Sequence, residues 1–195
     1  MQENVKQLFN DSIKGPWVSS DKNDVQFKVL REGRILYIYF QGTVSKRDWI
    51  QNFKFWIKKH NNEYVHLGFL ENYLIVKKNI HYIIEHLGYE IDKIIISGYS
   101  QGAALSVLYY EDLMKTYFNV YCYIFGSPRI YWLPNKTFKN RFNNVFNYQT
   151  KGDIITKLPL WIFGFRHIGN IVKLGKRKII ALPKYHYIDY YKECL

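Results

Sequence analysis

Ile94-Ile95-Ile96-Ser97-Gly98-Tyr99-Ser100-Gln101-Gly102-Ala103-Ala104-Leu105 reads as a buried strand, a tight turn and the start of a helix, with a serine at the apex between two glycines. The spacing is G-x-S-x-G, the pattern of a nucleophile elbow. So sharp a turn leaves no room for side chains at its flanks, which predicts glycine on both sides of the serine. The strained apex holds the hydroxyl out at the mouth of a sheet, and the dipole of the following helix favours negative charge forming there. The flanks agree. Asp92 to Ile96 is a short aliphatic run suited to a strand buried on both faces. Gln101 to Tyr117 has no proline and no glycine after Gly102, and Ala103, Leu105, Val107, Leu108, Leu113 and Met114 make it a helix that packs on the sheet. Ser100 is therefore the expected nucleophile of an acyl-bond hydrolysis.

Outward from the elbow, helical and strand-like segments alternate. Residues 1–20 hold a short amphipathic helix (Val5, Leu8, Phe9, Ser12, Ile13) ended by Gly15-Pro16. Val25 to Leu30 and Ile35 to Phe40 read as strands of a hairpin turning at Glu32-Gly33. Trp49 to Lys59 and Gly68 to Leu87 have helical spacing, the second closed by Gly88. Val120 to Phe125 and Asn144 to Gln149 are further strands. Ile171 to Leu174 and Arg177 to Leu182 suggest a late hairpin, and Lys184 to Glu193 a final helix. This alternation predicts a single α/β domain over residues 1–195, three-layered, with a mostly parallel central sheet, helices on both faces and hairpins at the edges.

At 195 residues and 48% apolar content the chain is long enough for a full core, and its 18% aromatics exclude a disordered chain. Its net charge is +12. The basic residues are scattered, with one short run from Lys173 to Lys178, so no nucleic-acid partner is expected. A dispersed basic surface that adsorbs to anionic lipid and a merely lysine-rich composition both fit. Cys122 and Cys194 are too few for a disulfide framework. His81 and His86 fall on different helix faces and no H-E-x-x-H or C-x-x-C occurs, so neither a metal nor another cofactor is expected. No apolar run reaches the length of a membrane-spanning helix, and Met1-Gln2-Glu3-Asn4-Val5-Lys6 lacks the build of a signal peptide. On those grounds the expected location is cytoplasmic or otherwise intracellular, short of export by another route.

A serine hydroxyl is too weakly acidic to attack unaided. It needs a histidine base, held by an acid. On this elbow the chain order is serine, acid, histidine. Of the acids after Ser100, Glu111 and Asp112 lie far along the elbow helix, and Asp189 and Glu193 follow the last histidine. Asp153 remains, in a Gly-containing loop just past a predicted strand, where catalytic acids gather. His167 and His186 both follow it, and spacing alone leaves the two open. The oxyanion hole needs two backbone donors. The amide of Gln101, directly after the nucleophile, is one. Phe40-Gln41-Gly42-Thr43, at a strand end, is the candidate for the other, against the reading of an ordinary turn.

Beyond the elbow, several ordered segments resemble the class 3 lipases, the α/β-hydrolase group that includes the fungal triacylglycerol lipases. Phe40-Gln41-Gly42-Thr43 with Asp48-Trp49 is similar to the family's F-R-G-T and D-W. Val65-His66-Leu67-Gly68-Phe69-Leu70 resembles V-H-x-G-F-L. Gly98 to Ala103 resembles G-H-S-L-G-G, and Phe125-Gly126-Ser127-Pro128-Arg129 resembles F-G-S-P-R. Asp153 to Pro159 resembles D-x-V-x-x-L-P. The resemblance runs from about Ile35 to Tyr190. It implies an α/β-hydrolase fold and a serine hydrolase of lipid esters, without cofactor. The alternatives are a phospholipase A or a soluble carboxylesterase with the same triad, and an inactive lipid-binding protein. It implies Asp153 as the acid, His186 as the base, His167 as a structural histidine and Thr43 as the second oxyanion donor. It also implies a lid at residues 45–59. There Trp49, Ile50, Phe53, Trp56 and Ile57 share one helical face among basic residues, which suits a membrane surface or a plain core helix. Gln41, Tyr99, Gln101 and Ala103 depart from the family pattern, and the stretch from Asp153 to His186 is short.

Overall fold

The structure is a computed structural model that describes residues 4–20, 23–42, 56–87, 90–176 and 180–195. Among the described residues, eleven strands fall into two sheets. The central sheet contains β1 (Val18–Ser20), β2 (Asn23–Glu32), β3 (Ile35–Phe40), β6 (Lys93–Tyr99), β7 (Val120–Phe125), β9 (Val145–Thr150) and β11 (Asn170–Leu174), in the order β1-β2-β3-β6-β7-β9-β11. From β3 onward the strands are parallel, and only the β1-β2-β3 edge is antiparallel. The small sheet is built from β4 (Ile57–His60), β5 (Glu63–His66), β8 (Tyr131–Trp132) and β10 (Phe165–Arg166).

Strand alternation assigns the layers. Leu36, Ile38, Ile94, Ile96, Cys122 and Ile124 face one side, where they share a buried cluster with α2 (Leu67–His86) and α3 (Gln101–Leu113). Tyr39, Ile95, Tyr99 and Phe125 face the other side. There they meet Leu8 and Phe9 of α1 (Val5–Asp11) and Tyr191 of the C-terminal helix α5 (Ile188–Cys194), the short α4 (Lys136–Asn140) lying between α3 and α5 in the chain. Helices on both faces of a mostly parallel sheet are the expected three-layer α/β arrangement.

Three expectations need correction. Residues 43–55, which hold most of the predicted Trp49–Lys59 helix, most of the 45–59 lid and Thr43, lie outside the described residues. The end of that helix is not found, because Ile57–His60 is a strand paired antiparallel with Glu63–His66. The Asn61-Asn62 turn between them has φ of 48° and 71°, left-handed values that asparagine tolerates better than most residues. Among the described residues Ile171–Leu174 pairs only with β9, in parallel, at the sheet edge, and residues 177–179 of its predicted hairpin partner lie outside them. The predicted final helix is broken at Tyr187 (φ −68°, ψ 145°), with a 3-10 turn at Pro183–His186 before it and α5 after it.

Glu111 and Asp112 carry structural work at the far end of α3. Asp112 accepts hydrogen bonds from Tyr73, Lys77, Asn61 and Lys115. Glu111 is fully buried, accepts from the Tyr131 hydroxyl at 2.7 Å and stands 3.5 Å from the Arg141 guanidinium. Burial pushes its pKa up to about 7. In acid both folded and unfolded chains hold this proton. Between the free carboxyl value and about 7 only the folded chain does, so folding becomes less favourable as pH rises through that window. Glu111→Gln should remove this slope. Relative to wild type, the variant should gain up to about 3 kcal/mol of stability between pH 4.5 and pH 8. Thermal melts across that range check this, and parallel wild-type and variant curves would refute it.

Candidate active site

The elbow sits where β6 turns into α3. Ser100 has φ 57° and ψ −119°, a strained conformation for a residue with a side chain. Its N–H donates to the Phe125 carbonyl at 2.9 Å, which fastens the apex to the neighbouring strand. The flanking glycines are required by close approach. A Cβ on Gly98 would lie 2.4 Å from the Gly102 carbonyl oxygen, and a Cβ on Gly102 would lie 2.2 Å from that of Phe40. Neither glycine has positive φ; among these three residues only the serine does.

The acid comes from the loop after β9. Asp153 is 1% exposed and three donors converge on it. The Ile155 N–H donates to Oδ1 at 2.8 Å. The Tyr191 hydroxyl donates to Oδ2 at 2.7 Å, and His186 Nδ1 lies 2.7 Å from the same oxygen. Burial and the Asp153 charge push the Tyr191 phenol well above its ordinary pKa, so it stays a donor.

The histidine segment is tied to the acid loop before the imidazole is placed. The Leu182 N–H donates to the Gly152 carbonyl at 2.9 Å, and the Thr150 hydroxyl donates to the Tyr185 carbonyl at 2.5 Å. His186 then projects its ring between acid and serine, with Nε2 2.9 Å from Ser100 Oγ. Ring and serine are one relay: Ser100 Oγ, His186 Nε2, His186 Nδ1, Asp153 Oδ2.

Two further contacts hold that ring. Gly126 has φ +60°, and a Cβ there would lie 2.9 Å from His186 Cε1, so the F-G-S-P-R glycine leaves room for the imidazole. Tyr99 stacks on it, with centroids 5.0 Å apart and planes at 20°, and its hydroxyl donates to the His186 backbone carbonyl. Behind Tyr99, the rings of Phe9, Phe125 and Tyr191 form one buried cluster, so α1 supports the site from below.

The second histidine is elsewhere. His167 Nε2 lies 2.6 Å from the Thr156 carbonyl, and its ring is beside Gln149 and Asn147. Burial lowers its pKa to about 4, which keeps it neutral. The structure thus brings Ser100, Asp153 and His186 together and leaves His167 in a supporting position. Gln101 opens α3, so its amide stands at the N-terminal end of that helix, directly after the nucleophile. Gly42 passes close by, since a Cβ on it would lie 3.5 Å from Ser100 Cβ. Thr43 is the next residue and lies outside the described ones. Tyr191 was not singled out from the sequence; it is one of four tyrosines between Tyr185 and Tyr191, and nothing in the pattern distinguishes it.

Comparison with known proteins agrees with this layout. The chain is 30% identical over 141 residues to the secreted mono- and diacylglycerol lipase 1 of Fusarium solani, covering 68% of this chain and 41% of that protein. It superposes on the Rhizomucor miehei lipase propeptide complex with a TM-score of 0.68 at 25% identity, covering 82% of this chain and 56% of that one. A triacylglycerol lipase described as having a serine protease triad at its catalytic centre gives a TM-score of 0.68 at 26% identity, over 83% of this chain and 66% of that one. The chain spans less than half the length of the Fusarium relative. The expectation of an intracellular protein does not stand. The Fusarium relative and one from Penicillium camembertii, 27% identical, are both named as secreted lipases. The lipase (class 3) family pattern matches residues 37–163, more than half of the chain and inclusive of Ser100 and Asp153, and on that match this protein belongs to the class 3 lipase family.

Proposed function

We propose that this protein hydrolyses carboxylic esters of lipids through a Ser100-His186-Asp153 triad and an acyl-enzyme. The observation that carries the reading is the continuous hydrogen-bonded relay at a strained elbow, 2.9 Å from serine to imidazole and 2.7 Å from imidazole to carboxylate. In the first step His186 Nε2 takes the Ser100 proton as Oγ attacks the ester carbonyl. Asp153 holds the Nδ1–H tautomer and stabilises the imidazolium. The amides of Gln101 and Thr43 receive the oxyanion. Protonated His186 then gives its proton to the departing alcohol. In the second step it activates the water that releases the acid.

The lipid assignment rests on the relatives, of which the Fusarium protein is named for mono- and diacylglycerols. Labelling by a fluorophosphonate probe, together with turnover of emulsified diacylglycerol against a soluble short-chain ester and a phospholipid, tests chemistry and substrate separately. Preference for the soluble ester makes it a carboxylesterase, and preference for the phospholipid a phospholipase. A folded chain that neither labels nor turns over any ester is not a hydrolase.

Tyr99 gives a narrower expectation. Tyr99→Phe keeps the ring stack and loses the bond to the His186 carbonyl. One neutral hydrogen bond is worth about 1 kcal/mol, so kcat should fall about fivefold with KM unchanged. An equal rise in KM with constant kcat would show that Tyr99 acts on substrate binding instead.

A further inference from the structure

We propose that the turn Leu160-Trp161-Ile162-Phe163 is an anchor that inserts into an anionic lipid surface and seats the mouth of the site on it. The proposal deepens the lipid-ester reading and partly rests on it.

The turn exposes four consecutive large apolar side chains, at 40%, 61%, 62% and 50%, and Leu133 beside it is 54% exposed. It is not a loose loop. The Phe163 N–H donates to the Leu160 carbonyl and the Gly164 N–H to that of Trp161. The Trp132 indole donates to the Phe163 carbonyl at 2.9 Å. Arg166 Nη1 donates to the Trp161 carbonyl at 2.5 Å, with its guanidinium 5.9 Å from the Trp161 ring. The carbonyls of Leu160, Trp161 and Phe163 are thus satisfied within the protein while the side chains face outward. That combination lets a turn enter an apolar phase, where an unpaired carbonyl would be costly.

Its position fits. The turn follows the Asp153 loop, at the C-terminal end of β9, the same end of the parallel sheet from which β6 presents Ser100. Arg129, from the loop after β7, donates to the carbonyls of Lys157 and Pro159 and so ties the turn's base to the loop carrying Gly126. An inserted turn would bring the site's mouth to the surface that holds the substrate.

Charge selects the occupant. Arg129, the exposed Lys157 and Arg166 stand at the base of the turn, and the chain carries +12 overall. An apolar tip with a cationic rim matches acyl chains beneath anionic headgroups. A second copy would bring like charge against like charge.

The test is co-sedimentation with vesicles of phosphatidylglycerol and phosphatidylcholine, and with vesicles of phosphatidylcholine alone. Trp161→Ser/Ile162→Ser is the variant, its fold checked by circular dichroism. Both side chains are solvent-exposed, so the fold should survive. Wild type should bind the anionic vesicles, more weakly as salt rises, and the variant at least about tenfold less. Equal binding by variant and wild type, no binding by wild type, or equal binding to both vesicle types would overturn the proposal. So would a wild-type dimer, lost in the variant, that does not bind vesicles. The assay needs no turnover. Vesicle binding by a folded protein that neither labels nor turns over any ester would leave the anchor standing and remove the hydrolase reading; hydrolysis of soluble esters without vesicle binding would do the reverse.

Discussion

Ser100→Ala should abolish fluorophosphonate labelling and lower ester turnover by roughly 10⁴- to 10⁶-fold, with the fold intact. The fold should survive because the strained backbone of the elbow is held by its surroundings. The Ser100 N–H bond to Phe125 and the close approaches at Gly98 and Gly102 do not involve the hydroxyl. Among the described residues, no serine beside the elbow is free to substitute. Ser97 and Ser106 are fully buried, and Ser106 Oγ donates to the Gly102 carbonyl at 2.8 Å. Residues that act as a unit are not additive. Ser100→Ala/His186→Ala should therefore be no slower than Ser100→Ala alone, whereas independent contributions would multiply. Labelling that persists in the alanine variant would mean that the reactive serine is elsewhere.

The elbow and the parallel strands were legible because each is dictated by short-range physics. Ile94 to Ile96 is aliphatic because both of its faces are covered, and Ile35 to Phe40 and Val120 to Phe125 have the predicted bounds. Elimination along the chain reached Asp153 because the other acids were placed too far along α3 or too late in the chain. The misreadings arose where long-range contacts override local spacing. Trp56 and Ile57 fit a helical face, yet Ile57–His60 pairs with Glu63–His66. The Asn61-Asn62 dipeptide was the available hairpin signal, since both residues take positive φ. The break at Tyr187 had no local signal. It lets His186 meet Ser100 and Asp153 while Tyr191, on the next helix, approaches Asp153 with its hydroxyl. A continuous helix from Lys184 to Glu193 would fix the relative directions of those two side chains and could not be expected to serve both contacts.

Asp153→Asn is expected to lower kcat by about 10³- to 10⁴-fold, with little change in KM. The three donors at the carboxylate explain why so conservative a change should cost so much. A carboxylate accepts at both oxygens, from Ile155 N–H at one and from Tyr191 and His186 at the other. An amide has one accepting oxygen and one donating nitrogen. If the nitrogen faces Ile155, two donors collide in a fully buried place. If it faces His186 and Tyr191, Nδ1 must become the acceptor. The ring proton then sits on Nε2, which can no longer take the Ser100 proton. The first orientation strains the buried loop and removes the charge that stabilises the imidazolium, and the second disables the relay without disturbing the fold. Tyr191→Phe separates orientation from charge. It removes one donor, leaves the carboxylate on Nδ1–H, and should cost about tenfold to a hundredfold. A loss below tenfold for Asp153→Asn in a folded protein would show that the carboxylate is not what orients His186. A Tyr191→Phe loss as large as that of Asp153→Asn would mean that Tyr191 places the carboxylate, so that the acid works only as a Tyr191-Asp153 pair.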